Sequence, residues 1–420
     1  MTRIIESATL NGTISIPPSK SLSHRAVLAA ALADGESVIE NLVFSEDIEA
    51  TCAAIEGLGV KVSRGRDCLR ILGRGRLETP ATPLNCRESG STLRFLIPFA
   101  GLVDGPVVFT GEGKLTTRPL DPYFELFREQ GIRYHYDGSL PLLVEGQLKP
   151  GVYSMPGNVS SQFVTGLLYV LPLLPGDSEV ILTSPLESRD YVELTIQILE
   201  RFGVAVETVT PEHYRIRGGQ HYRPARYRVE GDYSQSAFWI AAGLMGQGLT
   251  LADLAPDTRQ GDRRILEIAE AMGADLQWQD RTLQVPAAQT RGTVVDASQC
   301  PDLVPIVATL AAVSQGETRI VNAARVRIKE SDRLKAICTE LNKLGANILE
   351  EPEGLVIQGV ERLKGGVVEG WNDHRIVMSL AVAAMKCDGT VAIEGSEAVR
   401  KSYPHFFEDY KALGGIVREK

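Results

Sequence analysis

The chain has 420 residues, 44% of them hydrophobic, enough to bury one large core or two ordinary ones, and domain statistics favour two. Its 53 acidic side chains outnumber 44 basic ones for a net charge of -9, which argues against bulk attraction to nucleic acid or an anionic membrane. Any anionic ligand must therefore be caught by a local cluster of cations.

The N-terminal stretch "MTRIIESATLNGTISIPPSK" moves directly into strand-like alternation and lacks a long apolar core, so neither a signal peptide nor a transit peptide is expected. The most apolar window, "FVTGLLYVLPLLPG", is interrupted by Pro172 and Pro175 and falls short of the ~20 residues needed to span a bilayer. The cysteines are scattered, with no pair at zinc or redox spacing, and free thiols in a reducing cytoplasm are expected.

In chain order, six segments share one design: a small or polar cluster followed at once by an apolar, alanine-rich run of helical length. They are "PSKSLSHRAVLAAAL", "RESGSTLRFLIPFAG", "GNVSSQFVTGLLYVL", "EGDYSQSAFWIAAG", "CPDLVPIVATLAAV" and "WNDHRIVMSLAVAA". With Ser21, Ser91, Ser160, Ser234, Asp302 and Asp373 as markers, the intervals are 70, 69, 74, 68 and 71 residues. Between them lie Val/Ile/Thr-rich stretches punctuated by Gly or Asp, such as "ESVIENLVF", "GPVVFTGEG", "SEVILTSPL" and "GTVAIEG", which predict strands. A second, amphipathic helix is predicted in "DIEATCAAIEGLGV", "PYFELFREQGI", "YVELTIQILERFGV", "RRILEIAEAMGA" and "DRLKAICTELNKLGA". The unit is thus a mixed α/β module of about 70 residues, and a helix apolar all round should be buried.

Ser, Asp or Gly at a helix start either caps the free N–H groups or leaves them open to an anion. Cations sit at element ends: Lys20 and Arg25, Arg94, Arg118 in "GEGKLTTRP", Lys329 and Arg333 in "RIKESDRL", Arg375 in "NDHR" and Lys401 in "VRKSYP". Each alone reads as a solvated or salt-bridged group; together they carry charge enough for ligands bearing phosphates and carboxylates. Glu330 lies between Lys329 and Arg333, with Arg333 placed on the same helical face, and both an ion pair and a proton-transfer group remain open readings. Asp302 and His374 carry the same ambiguity. No metal-ligand spacing and no dinucleotide fingerprint occurs, so the residues point to a metal-free, nucleotide-free transfer between small anions.

The motifs "PPSKSLSHRA", "SGSTLR", "GEGKLTTRP", "GNVSSQF", "EGDYSQSA", "RIKESDR", "NDHR" and "KSYPHFF", in that order, resemble the 5-enolpyruvylshikimate-3-phosphate synthase family of enolpyruvyl transferases over about 14–407. The resemblance implies an α/β fold, a two-domain inside-out α/β barrel in which each domain holds three βαβαββ repeats. An N-terminal domain of 18–229 and a C-terminal domain of 1–17 plus 230–420 would follow, with the active site in the cleft between them. It implies transfer of the enolpyruvyl group of phosphoenolpyruvate to the 5-hydroxyl of shikimate 3-phosphate, with no cofactor and no metal, in a cytoplasmic monomer without nucleic-acid or membrane partners.

Carried over residue by residue, Lys20, Ser21 and Arg25 would meet the substrates. Ser160, Ser161, Gln162, Ser188, Tyr191 and Lys329 would hold shikimate 3-phosphate. Gly90, Arg118, Gln162, Arg333, Arg375 and Lys401, with Lys20, would hold phosphoenolpyruvate. Asp302 would accept the hydroxyl proton and Glu330 would protonate the methylene carbon, with His374 in support. The chain departs from the family pattern in "RESGST", where Glu88 and Ser91 replace an Asn and a Thr, and at Lys114, where Arg is frequent; Arg325 receives no role. The sister transferase acting on UDP-N-acetylglucosamine would begin with a Lys-Asn pair and carry a loop cysteine, where this chain has Lys20-Ser21 and none in "GEGKLTTRP". A non-catalytic anion-binding protein on the same scaffold would have no need of both Asp302 and Glu330.

Overall fold

The computed structural model describes residues 1–420, which divide into two compact units: Met1–Ser19 with Glu230–Lys420, and Lys20–Val229. Each unit has its own hydrophobic core. At the centre of each stand three apolar helices, Lys20–Leu32, Gly90–Leu96 and Ser161–Val170 in the one and Tyr233–Met245, Val304–Ala312 and His374–Ala383 in the other. Tyr233–Met245 is buried at all 13 positions, as a helix without a polar face must be.

Six four-stranded sheets, three to a unit, cover these helices, and all have one topology. In the sheet of Val152–Met155, that strand runs parallel to Ser178–Leu182, which pairs antiparallel with His213–Ile216, itself antiparallel to Glu207–Thr210. The parallel pair brackets the buried helix Ser161–Val170 and the amphipathic helix Arg189–Arg201 follows, which makes a βαβαββ repeat. Strands alternate between core and solvent, as in Cys68–Arg74, where Leu69 and Ile71 are fully buried and Arg70, Leu72 and Arg74 are exposed. Six amphipathic helices end alike, with a glycine at positive φ at or just past the cap: Gly59, Gly131, Gly203, Gly273, Gly345 and Gly414. The fold class expected from the sequence, six βαβαββ repeats with helices inside and sheets outside, is the one found.

The chain passes between the units at equivalent points of two repeats. Strand Thr13–Ser15 pairs in parallel with Leu249–Ala252, yet it leads into the helix Lys20–Leu32 of the other unit. Conversely, Arg226–Arg228 pairs with Asp34–Glu40 and leads into Tyr233–Met245. The crossing segments are tied by Ser19 N–H donating to Glu230 O (2.8 Å) and Asp232 N–H donating to Pro17 O (2.8 Å). The N-terminal strand Thr2–Glu6 completes the sixth sheet, between Val391–Glu394 and Ile416–Glu419.

Two local expectations are corrected. "RIKESDRL" is not one helix: a 3-10 turn covers Ala324–Ile328, and the α-helix begins only at Arg333 because Asp332, in extended geometry, accepts the Lys335 N–H (3.1 Å) as its cap. Glu330 therefore lies in the loop ahead of the helix. Of the six repeat markers, only Ser160 and Asp373 are caps; Ser89 and Asp232 cap the second and fourth helices, leaving Ser91 and Ser234 at the second helical position.

Candidate functional site

In the unit Lys20–Val229, polar groups gather where the three buried helices begin. Lys20 opens the first and pairs with Asp47 (Nζ–Oδ2 2.9 Å). One turn on, Arg25 is fixed on three sides: Nε donates to Thr195 Oγ1 (2.9 Å), Nη1 to Ser21 O (2.8 Å) and Nη2 to Tyr191 O (2.9 Å). Its guanidinium lies over the Phe95 and Tyr191 rings at 5.1 and 5.7 Å. Burial pushes its pKa down, but from so high a start that it stays a cation.

The second and third helices share another group. Gln162 accepts from Arg94 Nη1 (2.9 Å) and donates to Ser91 Oγ (3.1 Å). Gly90 presents its backbone to buried Arg118: a Cβ there would collide with Arg118 Nη1. Ser160 accepts the Gln162 N–H (3.3 Å) as cap, Ser161 starts the helix, and Ser188, left-handed at φ 55, turns the chain into the helix that carries Tyr191.

In the other unit, three carboxylates and three cations interlock. Arg333, 1% exposed, spreads its guanidinium over all three acids: Nε to Asp373 (2.7 Å), Nη1 to Asp302 (2.8 Å) and Nη2 to Glu330 (2.7 Å). Asp302 also meets Arg375 Nη2 (3.2 Å) and Lys329 Nζ (3.4 Å). Asp373 caps the helix that bears His374 and Arg375 by accepting the Arg375 N–H (2.9 Å), and it accepts from Ser331 Oγ (3.0 Å). His374 is buried with Nδ1 4.0 Å from Asp373. Lys401 donates to Asn372 O (2.7 Å), immediately before this cap.

The electrostatics are sharply divided. Burial by itself would raise the Asp302 carboxyl, but Arg375, Lys329 and Arg333 overcome it and hold the group well below the usual range. Burial also opposes ionisation of Asp373, and the Arg333 charge wins there too. Lys329 is pushed down by burial, with Asp302 opposing. Asp262, bonded to Ser234 Oγ, goes the other way: burial and then the Asp302 charge push it up to about 6. Such an array of fixed cations beside buried acids can bind multiply charged anions and move protons.

A family model described as EPSP synthase (3-phosphoshikimate 1-carboxyvinyltransferase) matches residues 4–410. The chain belongs to the EPSP synthase family. Similar relatives named 3-phosphoshikimate 1-carboxyvinyltransferase include that of Clostridium kluyveri, 50% identical over 99% of this chain and 98% of its own. That of Clostridium novyi is 49% identical over 98% and 97% of the two chains. Among solved structures, the EPSP synthase of Acinetobacter baumannii superposes with a TM-score of 0.84 at 26% identity, covering 100% of both chains.

In this EPSP synthase family member, Ser21 and Tyr191 come together around the Arg25 guanidinium while Lys20 pairs with Asp47, and Gly90 and Gln162 lie at neighbouring helix starts with Arg118 against Gly90. Asp302, Lys329, Glu330, Arg333 and Arg375 form one ion network, with His374 and Lys401 attached through the Asp373 cap and its preceding turn. Of the departures, Arg325 donates to Ser298 O (3.4 Å), Lys114 lies in the turn Gly113–Thr117, and Glu88 packs against Gly113. Asp47, Thr195 and Asp262 escaped the sequence reading. Each is an ordinary polar residue in an amphipathic or loop segment, and its partner is 27 or more positions away in the chain.

Proposed function

We propose that Lys20, Asp302 and Glu330 carry the chemistry of the reaction this family performs. In that reaction the enolpyruvyl group of phosphoenolpyruvate is transferred to the 5-hydroxyl of shikimate 3-phosphate. In the addition, Glu330 protonates the methylene carbon, the hydroxyl oxygen bonds to the neighbouring carbon, and Asp302 takes the hydroxyl proton. In the elimination, the new methyl group returns a proton to the Glu330 carboxylate and the carbon–oxygen bond to phosphate breaks as Asp302 gives its proton to the departing phosphate, leaving the enol ether and inorganic phosphate.

The observation that carries this reading is the charge balance around Arg333: three carboxylates against three cations, all within ion-pair distance. An Asp302 with so depressed a pKa is a weak base in the free protein. As the substrates' anionic groups engage Arg375 and Lys329, Asp302 loses its counter-charges, its affinity for a proton rises, and it becomes competent at the moment the hydroxyl arrives. Arg333, nearly unexposed, reaches phosphoenolpyruvate only by exchanging Glu330 or Asp302; a Glu330 released from the guanidinium gains affinity for a proton and takes up the one it delivers to the methylene carbon.

Lys20, Gly90, Arg118, Gln162, Arg375 and Lys401 hold phosphoenolpyruvate with Arg333; Ser21, Arg25, Ser160, Ser161, Ser188, Tyr191, Asp302 and Lys329, again with Lys20 and Gln162, hold shikimate 3-phosphate, and His374 supports the proton transfer. Each substrate carries about three negative charges, and neutralising both removes the repulsion that would keep them apart. The protein is read as a cytoplasmic monomer; its six free cysteines support the reducing compartment, and the net charge of -9 speaks against nucleic-acid or membrane partners.

The test is release of inorganic phosphate from phosphoenolpyruvate and shikimate 3-phosphate without added metal or nucleotide. Lys20→Met and Glu330→Gln should each lower kcat by about 10²–10⁴-fold while the far-UV circular dichroism is unchanged. Folded variants that turn over at near-normal rates would remove the assignment.

A further inference from the structure

We propose that Glu340, outside the charged site, is a positioning residue for phosphoenolpyruvate binding, acting through the turn that carries Arg375 and receives Lys401. The inference rests on the assignment of Arg375 and Lys401 to that substrate. Glu340 lies on the helix Arg333–Lys343, two turns beyond Arg333, and is buried. A buried carboxylate must be fully bonded, and this one is. Oε1 accepts from Trp371 Nε1 (2.8 Å) and Lys343 Nζ (2.9 Å); Oε2 accepts from Glu369 N–H (2.9 Å) and Lys343 Nζ (2.8 Å).

Its two partners on the far side, Glu369 and Trp371, flank Gly370, where the sixth repeat leaves its first strand, Gly366–Glu369. Trp371 and Asn372 both have positive φ, 52° and 50°, and Asp373 N–H closes the turn on Gly370 O (2.8 Å). Two successive left-handed residues inside a hydrogen-bonded four-residue turn are the mark of type I′, which favours Asn, Asp and Gly at those positions. Asn372 suits the second place. Trp371 does not suit the first: a bulky side chain at positive φ is strained and persists only where its surroundings over-determine it.

Glu340 supplies that determination. It grips the indole N–H on one side of Gly370 and the Glu369 backbone on the other, so the turn is clamped to the helix that begins with Arg333. What the turn delivers is the substrate end of the network: Asn372 O receives Lys401 Nζ (2.7 Å), and Asp373 then caps the helix at Arg375. A turn that relaxes toward ordinary backbone geometry displaces the Lys401 acceptor and the helix start together. Sub-ångström errors at such groups are expensive, because bound geometry is what they contribute. Glu340 touches neither substrate nor Arg375, so the effect falls on binding through these two cations and not on proton transfer.

The experiment compares steady-state constants of Trp371→Phe, Glu340→Ala, Glu340→Gln and, as reference, Lys401→Met, with phosphoenolpyruvate and shikimate 3-phosphate varied separately. Trp371→Phe keeps the ring and removes only the N–H; it should raise KM for phosphoenolpyruvate about tenfold, with KM for shikimate 3-phosphate within about twofold. Glu340→Ala should do at least as much, and Glu340→Gln, which keeps an acceptor for the indole, should recover part of the loss. If Glu340→Ala does not fold, Trp371→Phe decides. An unchanged KM for phosphoenolpyruvate in Trp371→Phe, or a parallel rise in both constants, overturns the inference when Lys401→Met still raises that KM. An unchanged KM in Lys401→Met overturns the underlying assignment and this inference with it.

Discussion

Replacing Asp373 by Asn removes one negative charge from the balanced set around Arg333 and turns the oxygen that accepts from Arg333 Nε and Ser331 Oγ into an amide N–H donor. The side chain keeps its size and an oxygen to accept the Arg375 N–H, so the helix cap survives. What is lost is the ionic partner of Arg333 Nε at 2.7 Å in a site where Asp373 and Arg333 are 0% and 1% exposed. An ion pair with charge centres about 4 Å apart is worth about 4 kcal/mol at the effective dielectric of a protein site. Removing one partner of a buried pair costs about 3–5 kcal/mol. Glu330 and Asp302 still face the guanidinium, which places the expected loss near the lower figure, about 3 kcal/mol. For a domain of this size that is a fall in Tm of about 10 °C. All three tryptophans, Trp239, Trp278 and Trp371, belong to the same unit as Asp373, so urea unfolding followed by tryptophan fluorescence reads this unit selectively. A loss below about 1 kcal/mol would mean that the carboxylate is screened like a surface pair, and the account of the network would fail.

Asp262 and the Asp302–Asp373 pair should shape stability in opposite directions. The Asp262 pKa of about 6 lies above the unfolded value near 3.9, so stability is lost as pH rises from about 4 to about 6; Asp262→Asn should abolish that slope and gain up to about 3 kcal/mol at pH 7, and parallel pH curves for the two proteins would refute it. Asp302 and Asp373 are depressed, so their contribution is present above about pH 4 and disappears as pH falls below it; acid titration of the tryptophan signal should show this, with a shallower slope in Asp302→Asn. Gly90→Ala drives a methyl group into the Arg118 guanidinium, and KM for phosphoenolpyruvate should rise about tenfold with KM for shikimate 3-phosphate little changed; equal KM values would place Arg118 elsewhere. In Gly166→Ala the new methyl would meet Tyr123 Oη and Arg94 O inside the core, and the cost should be about 1–3 kcal/mol by denaturation.

The repeat was legible because it is written in local pattern. An all-apolar helix every 70 residues or so and a glycine-closed amphipathic helix in each unit are decisions of neighbouring residues, made by side-chain entropy, burial and φ preference within a turn or two. That local code failed at "RIKESDRL", where helical spacing put Glu330 and Arg333 on one face. They do meet, at 2.7 Å, but across a loop that Asp332 creates by competing for backbone N–H groups.

The sequence by itself determined the six-fold α/β repeat, the helices that must be buried, and the chemical character of the residues at their starts. Only the tertiary structure decided how the chain shares strands between repeats, with Thr13–Ser15 and Arg226–Arg228 each serving a sheet whose next strand lies some 200 positions away. It also decided which charges compensate which. Asp302 is an ordinary aspartate in sequence, and its proton affinity is set by Lys329, Arg333 and Arg375, brought to it from two other helix starts. Glu340, Asp262 and Asp47 owe their roles to partners 27 to 31 positions distant. Coulomb energy and desolvation act through space, and in this chain the distances that govern them are set by packing between repeats, which no local stretch of sequence records.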